Sequence, residues 1–180
     1  MKSTKKLTLS AMIVALGTVF MKLGSIIEVF DLTAVALASV LVAFVYVEIG
    51  SPYTWLVWLA TSFLTFILPP TASVGVMYLL LFGIYPILKG YIEKLPKIFW
   101  WPIKIVFGNI SLVLMVLMLQ MMGIPFGNAG DTLFGITGKY LYLITWILFN
   151  IAMVLYDFFI VVMVRYYMDK LRPRFKNLLK

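Results

Sequence analysis

The stretch Leu7–Ile27, LTLSAMIVALGTVFMKLGSII, decides the fold class. About 20 apolar residues, each rising about 1.5 Å along a helix, cross the roughly 30 Å hydrocarbon core of a bilayer. The run follows a basic tip, Met1-Lys-Ser-Thr-Lys-Lys6. Within it, Ala11, Ala15, Thr18 and Lys22 fall at offsets 0, 4, 7 and 11 and share one stripe of a helix. The three small residues let another helix approach closely. The fourth is a charge inside a membrane segment, and that makes Lys22 a functional candidate.

Composition extends the reading to the whole chain. The 180 residues are 63% hydrophobic and 12% charged, whereas a soluble domain is nearer half apolar and a quarter charged. An all-α integral membrane bundle is expected, a single membrane domain over residues 1–180. No G-x-x-x-x-G-K-[ST] loop is present, so any energy for active transport must come from partners or a gradient. The net charge of +8 gathers at segment ends, the positive-inside pattern, and nucleic acid is not an expected partner. Cys and His are both absent. No thiolate or histidine metal site and no cofactor are therefore expected. There is no carboxylate pair at useful spacing and no G-x-S-x-G, so the chain is not expected to be an enzyme.

Six transmembrane helices are predicted, over residues 7–27, 32–49, 53–68, 73–88, 98–122 and 139–167. Gly50-Ser-Pro52, Pro69-Pro70, Lys89-Gly90 and Gly123 with Pro125 punctuate them. The fourth span is expected to stop near Lys89-Gly90, followed by a basic connection carrying Lys89, Lys94 and Lys97. With the N-terminus inside, these lysines share a side with Lys2, Lys5, Lys6 and the basic tail from Lys170 to Lys180. The outer turns then hold Lys139 beside Glu28, Asp31 and Asp131. Both termini are expected in the cytoplasm. The last span, about 29 residues and roughly 44 Å long, tilts or extends past the membrane.

Polar residues within the spans are the candidate sites. Lys22 either snorkels and pairs with Glu28 or Asp31, or meets an anionic ligand in an outward cavity. Asn109 and Gln120 are eleven apart on one face of the fifth span. Trp146, Asn150, Met153 and Asp157 form a stripe on the sixth. These stripes either hydrogen-bond between helices or line a cavity, with Trp146 stacking and the amides orienting a ligand. Asp157 is expected to be structural and neutralised across the bundle by Lys104. Glu48 should face the headgroups or the basic termini. The methionines of the fifth span, Met115, Met118, Met121 and Met122, are adaptable packing rather than a metal path. The loop of residues 123–138, with Asn128 and Asp131, is either a lid or a connector.

The segment Lys5-Lys6-Leu7-Thr-Leu-Ser-Ala11-Met-Ile-Val-Ala15-Leu16 resembles the opening of substrate-binding S components of energy-coupling factor (ECF) transporters. The A-x-x-x-A motif of that family falls on Ala11 and Ala15. The resemblance implies that this face docks on a transmembrane coupling subunit, and that two ATPase subunits drive toppling and release. It also implies a vitamin or other small organic substrate near the outer face. The expected substrate-binding residues are Lys22, Asn109, Gln120, Asn128, Trp146 and Asn150. The same A-x-x-x-A spacing recurs at Ala34 and Ala38. The rival reading is a membrane scaffold similar to the rod-shape-determining MreD-like proteins. It would use small-residue faces and basic ends for partner contacts.

Overall fold

The computed structural model describes residues 3–26, 30–68, 72–123 and 138–173. Helices α1 (Ser3–Gly24), α2 (Asp31–Glu48) and α3 (Ser51–Ile67) follow one another along the chain. Helix α4 (Ala72–Met77) passes through a π turn, Tyr78–Phe82, into α5 (Tyr85–Ile92). A 3-10 turn, Lys97–Phe99, leads to α6 (Trp100–Met121). Helix α7 (Gly138–Tyr166) ends in a second π turn, Tyr167–Leu171. No strand occurs among the described residues.

Among the described residues, five stretches are long and apolar enough to cross a membrane: Ser3–Gly24, Asp31–Glu48, Ser73–Ile92, Lys97–Met121 and Tyr142–Lys170. At 17 residues, α3 is shorter. Gly50, at φ 98°, separates α2 from α3, and Pro52 starts α3 where a missing N–H is harmless. Gly123, at φ 74°, follows the end of α6.

The fourth span corrects the sequence reading. It does not stop at Leu88 but runs to Ile92, and Lys89 is a buried helical residue rather than part of a connection. The reason lies in Gly90. A Cβ there would sit 2.5 Å from the Tyr46 ring, so this glycine serves the packing of α5 on α2 and not helix termination.

Small residues set the tightest packing. The buried face of α1 carries Ser10, Gly17, Thr18, Met21 and Gly24. Gly17 meets Thr61 and Ala38, and Gly24 meets Ala34 and the Phe30 carbonyl. The second A-x-x-x-A pair, Ala34 and Ala38, therefore lies in the α1–α2 crossing. Ala11 and Ala15 face outward instead. Buried hydroxyls close onto their own helices: Thr18 on the Val14 carbonyl, Ser62 on that of Trp58 and Thr65 on that of Thr61. Such back-bonding satisfies a polar group where water is absent.

The π turn has a similar logic. The Gly83 N–H donates to the Tyr78 carbonyl, which frees that of Leu79, and the Trp58 indole donates to it at 3.2 Å. Pro86 brings no N–H for the Phe82 carbonyl one turn back. The Tyr156 hydroxyl lies 3.1 Å from that oxygen and 2.7 Å from Ser39 Oγ.

The helix ends sort by contact. Ser3 lies 3.4 Å from the Tyr53 hydroxyl, Ser51 pairs with Tyr91, Phe44 stacks on Tyr167, and Arg172 meets Glu48 at 2.8 Å. The start of α1, the end of α2, the start of α3 and the ends of α5 and α7 thus share one end of the bundle. Glu48 meets the basic tail, as expected.

Candidate functional site: an apolar cleft above a charge cluster

Toward the opposite end, α2, the π turn, α6 and α7 surround a cleft of about 600 Å³. Its walls come from the first turns of α2 (Leu32, Ala36), the last turns of α6 (Met115, Leu119) and the first half of α7 (Phe149, Ala152). The hydroxyl groups on it are those of Thr33, Thr145 and Tyr156, and no charged side chain lines it. Thr33 donates to the Phe30 carbonyl, and Tyr156 is held by Ser39 and Phe82. The cleft can therefore take an apolar body and offers few directional contacts.

Below it lies a cluster of ionic groups. A single oxygen of Asp157, Oδ1, accepts from Tyr85 at 2.6 Å, from Lys104 at 2.9 Å and from Lys89. Glu93 pairs with Lys89 at 3.0 Å and with Lys104 at 3.4 Å. Two lysines and two carboxylates thus form a closed set linking α5, α6 and α7. Asp157, Lys89 and Lys104 are all buried. The Lys104 ammonium also stands 5.9 Å and 5.6 Å from the rings of Trp100 and Trp101.

The amide stripe makes a third group. Asn109 Nδ2 donates to Asn150 Oδ1 at 3.1 Å and to the Ile105 carbonyl at 2.8 Å. The Trp146 indole donates to Asn109 Oδ1 at 2.5 Å. These three expected site residues come together, but they bond to one another across α6 and α7. Asn150 lines a void of about 10 Å³, room for no more than a water. Trp146 lines a shallower 350 Å³ cleft on the other side of Leu112, Val116 and Thr145. Lys22, half-buried on the last turn of α1, and Gln120, exposed near the end of α6, lie outside the 600 Å³ cleft. Asn128, like Glu28 and Asp131, falls outside the described residues.

The Lys104–Asp157 pair matches the sequence expectation. Lys89 and Glu93 were missed as members of the cluster, although their spacing of four on one helix could have flagged a pair. The cleft residues were also missed, because apolar positions in a membrane helix look alike whether they face lipid or a cavity. Among the described residues no group of His, Cys, Asp and Glu is arranged to hold a metal.

The described residues are all-helical, with five stretches long and apolar enough to cross a membrane, compatible with a multi-pass membrane protein. No protein-family description, no curated protein and no solved structure matches the chain.

Proposed function

We propose that this chain is the membrane-embedded substrate-binding subunit of an ECF-type importer in a bacterial cell membrane. It crosses the membrane six times, with both termini in the cytoplasm. A transmembrane coupling subunit docks on the Ala11–Ala15 face, and two partner ATPase subunits supply the energy. The observation that carries this reading is the 600 Å³ cleft, which lies toward the bundle end opposite the Glu48–Arg172 contact. The exposed Ala11 and Ala15 support it, since a docking face must be free. The substrate is a small organic molecule with a substantial apolar part, because no charged side chain lines the cleft.

A scaffold of the MreD-like type is the second reading. The mutual bonding of Asn109, Trp146 and Asn150 favours it, since these groups lock two helices together rather than face the cleft. Purification in mild detergent, with mass spectrometry of everything that accompanies the chain, separates the two. A stoichiometric small molecule or ATPase subunits supports the importer; scaffold proteins alone support the rival. Ala11→Trp and Ala15→Trp should abolish association with a coupling subunit and leave the monomer's elution unchanged. Undiminished co-purification would remove the docking face from the proposal.

A further inference from the structure

A second cleft, of about 330 Å³, lies between α2, α5 and α7 at the basic end of the bundle. Its walls divide by chemistry. Lys89, Glu93 and Arg165 give a polar part, and Ala43, Pro86, Ile160 and Val164 give an apolar one. Lys89 belongs to the closed set in which it and Lys104 are matched by Glu93 and Asp157. Arg165 adds a third cation to those two carboxylates, so the site carries a surplus of one positive charge. Arg165 is exposed and forms no ion pair among the described residues, whereas Arg172, about two turns further along, is taken by Glu48.

We propose that this cleft binds a phosphate-bearing anion, and that its walls favour the headgroup of an anionic phospholipid as the source. The phosphate pairs with Arg165, whose planar fork matches two phosphate oxygens, and approaches Lys89 on the side away from Asp157. Glu93 sets an upper limit on affinity by competing for Lys89. The apolar wall of Ile160 and Val164 continues along α7 and receives the upper part of an acyl chain. A neutral zwitterionic headgroup brings no net charge to offset the surplus and is held less well. The site is at the opposite end from the 600 Å³ cleft and does not depend on what that cleft binds.

The test uses the full chain, delipidated in a nonionic detergent and titrated with phosphatidylglycerol or phosphatidylcholine, with bound lipid counted by native mass spectrometry. Phosphatidylglycerol should bind about tenfold more tightly than phosphatidylcholine. Arg165→Gln, at an exposed position, should erase that preference, and Glu93→Gln should strengthen it. Glycerol 3-phosphate is then added as a competitor. If it does not displace the lipid, the lipid source stands. If it does so in an Arg165-dependent way, the anion site stands with a soluble phosphate as its ligand. Equal binding of the two lipids, or an Arg165→Gln variant that binds phosphatidylglycerol like the parent, overturns the proposal.

Discussion

Asp157 takes three donors on one oxygen, which makes it the residue on which the lower bundle depends. Removing its charge leaves Lys89 and Lys104 buried with only Glu93 to match them. Breaking a buried pair in this way costs about 3–5 kcal/mol. Asp157→Asn should therefore lower the apparent melting temperature in detergent sharply. Adding Lys104→Gln should recover part of the loss, because the surplus cation goes with it. Losses that simply add would show that the two groups do not interact. Tyr156→Phe is a milder case. It strips the hydroxyl from the Phe82 carbonyl that Pro86 cannot serve, and should cost about 1–3 kcal/mol in the same melting experiment. At this scale the sequence was partly legible. An acid at Asp157 and a base at Lys104 on apolar spans need each other, and that pairing follows from charge alone. Lys89 was less legible, with its spacing of four from Glu93 as the local signal. Beside Gly90 and near other lysines it looks like a turn residue, and only the Tyr46 ring against Gly90 explains why the helix continues.

Among the helices, run length was enough to locate the five stretches long and apolar enough to cross a membrane among the described residues, because a bilayer fixes how many apolar residues a helix needs. It ended the fourth too early. It was not enough to find which faces meet. Both A-x-x-x-A pairs allow close approach, yet Ala34 and Ala38 pack in the α1–α2 crossing while Ala11 and Ala15 stay outside. The difference lies in Gly17 and Gly24, seven apart on α1, which give Ala38 and Ala34 room. A Cβ on Gly24 would stand 2.3 Å from that of Ala34, a contact that backbone must move to relieve. Gly24→Val should thus destabilise the bundle by about 1–3 kcal/mol or more. An equally bulky change at Ala11 should leave melting unaffected. A Gly24→Val protein that melts like its parent would mean that α1 and α2 are not held at this crossing. The π turn was hidden for another reason. Its hydrogen bonds depend on Trp58 and Tyr156, residues remote in the chain, which local sequence cannot announce.

Over the whole molecule, the ionic set and the 600 Å³ apolar cleft lie apart. The ionic set ties α5, α6 and α7 together at one end, and toward the other end α6 and α7 border an apolar cleft with α2 and the π turn. On the proposed importer reading, the side chains at the cleft walls decide whether a small molecule fits. Ala36 on α2 is such a residue, half-buried and on the cleft lining. Ala36→Trp places an indole in the cleft without touching the ionic set, the α1–α2 glycines or the outer face of α1. Melting temperature should change little, and a co-purifying small molecule should fall by about tenfold or more. Ala15→Trp should do the reverse, keeping the small molecule and losing the partner subunit. If Ala36→Trp retains the ligand at the parental level, the ligand sits elsewhere and the cleft is only a place where lipid chains pack. If both variants lose ligand and partner together, binding and docking are one surface, and the separate-site arrangement fails.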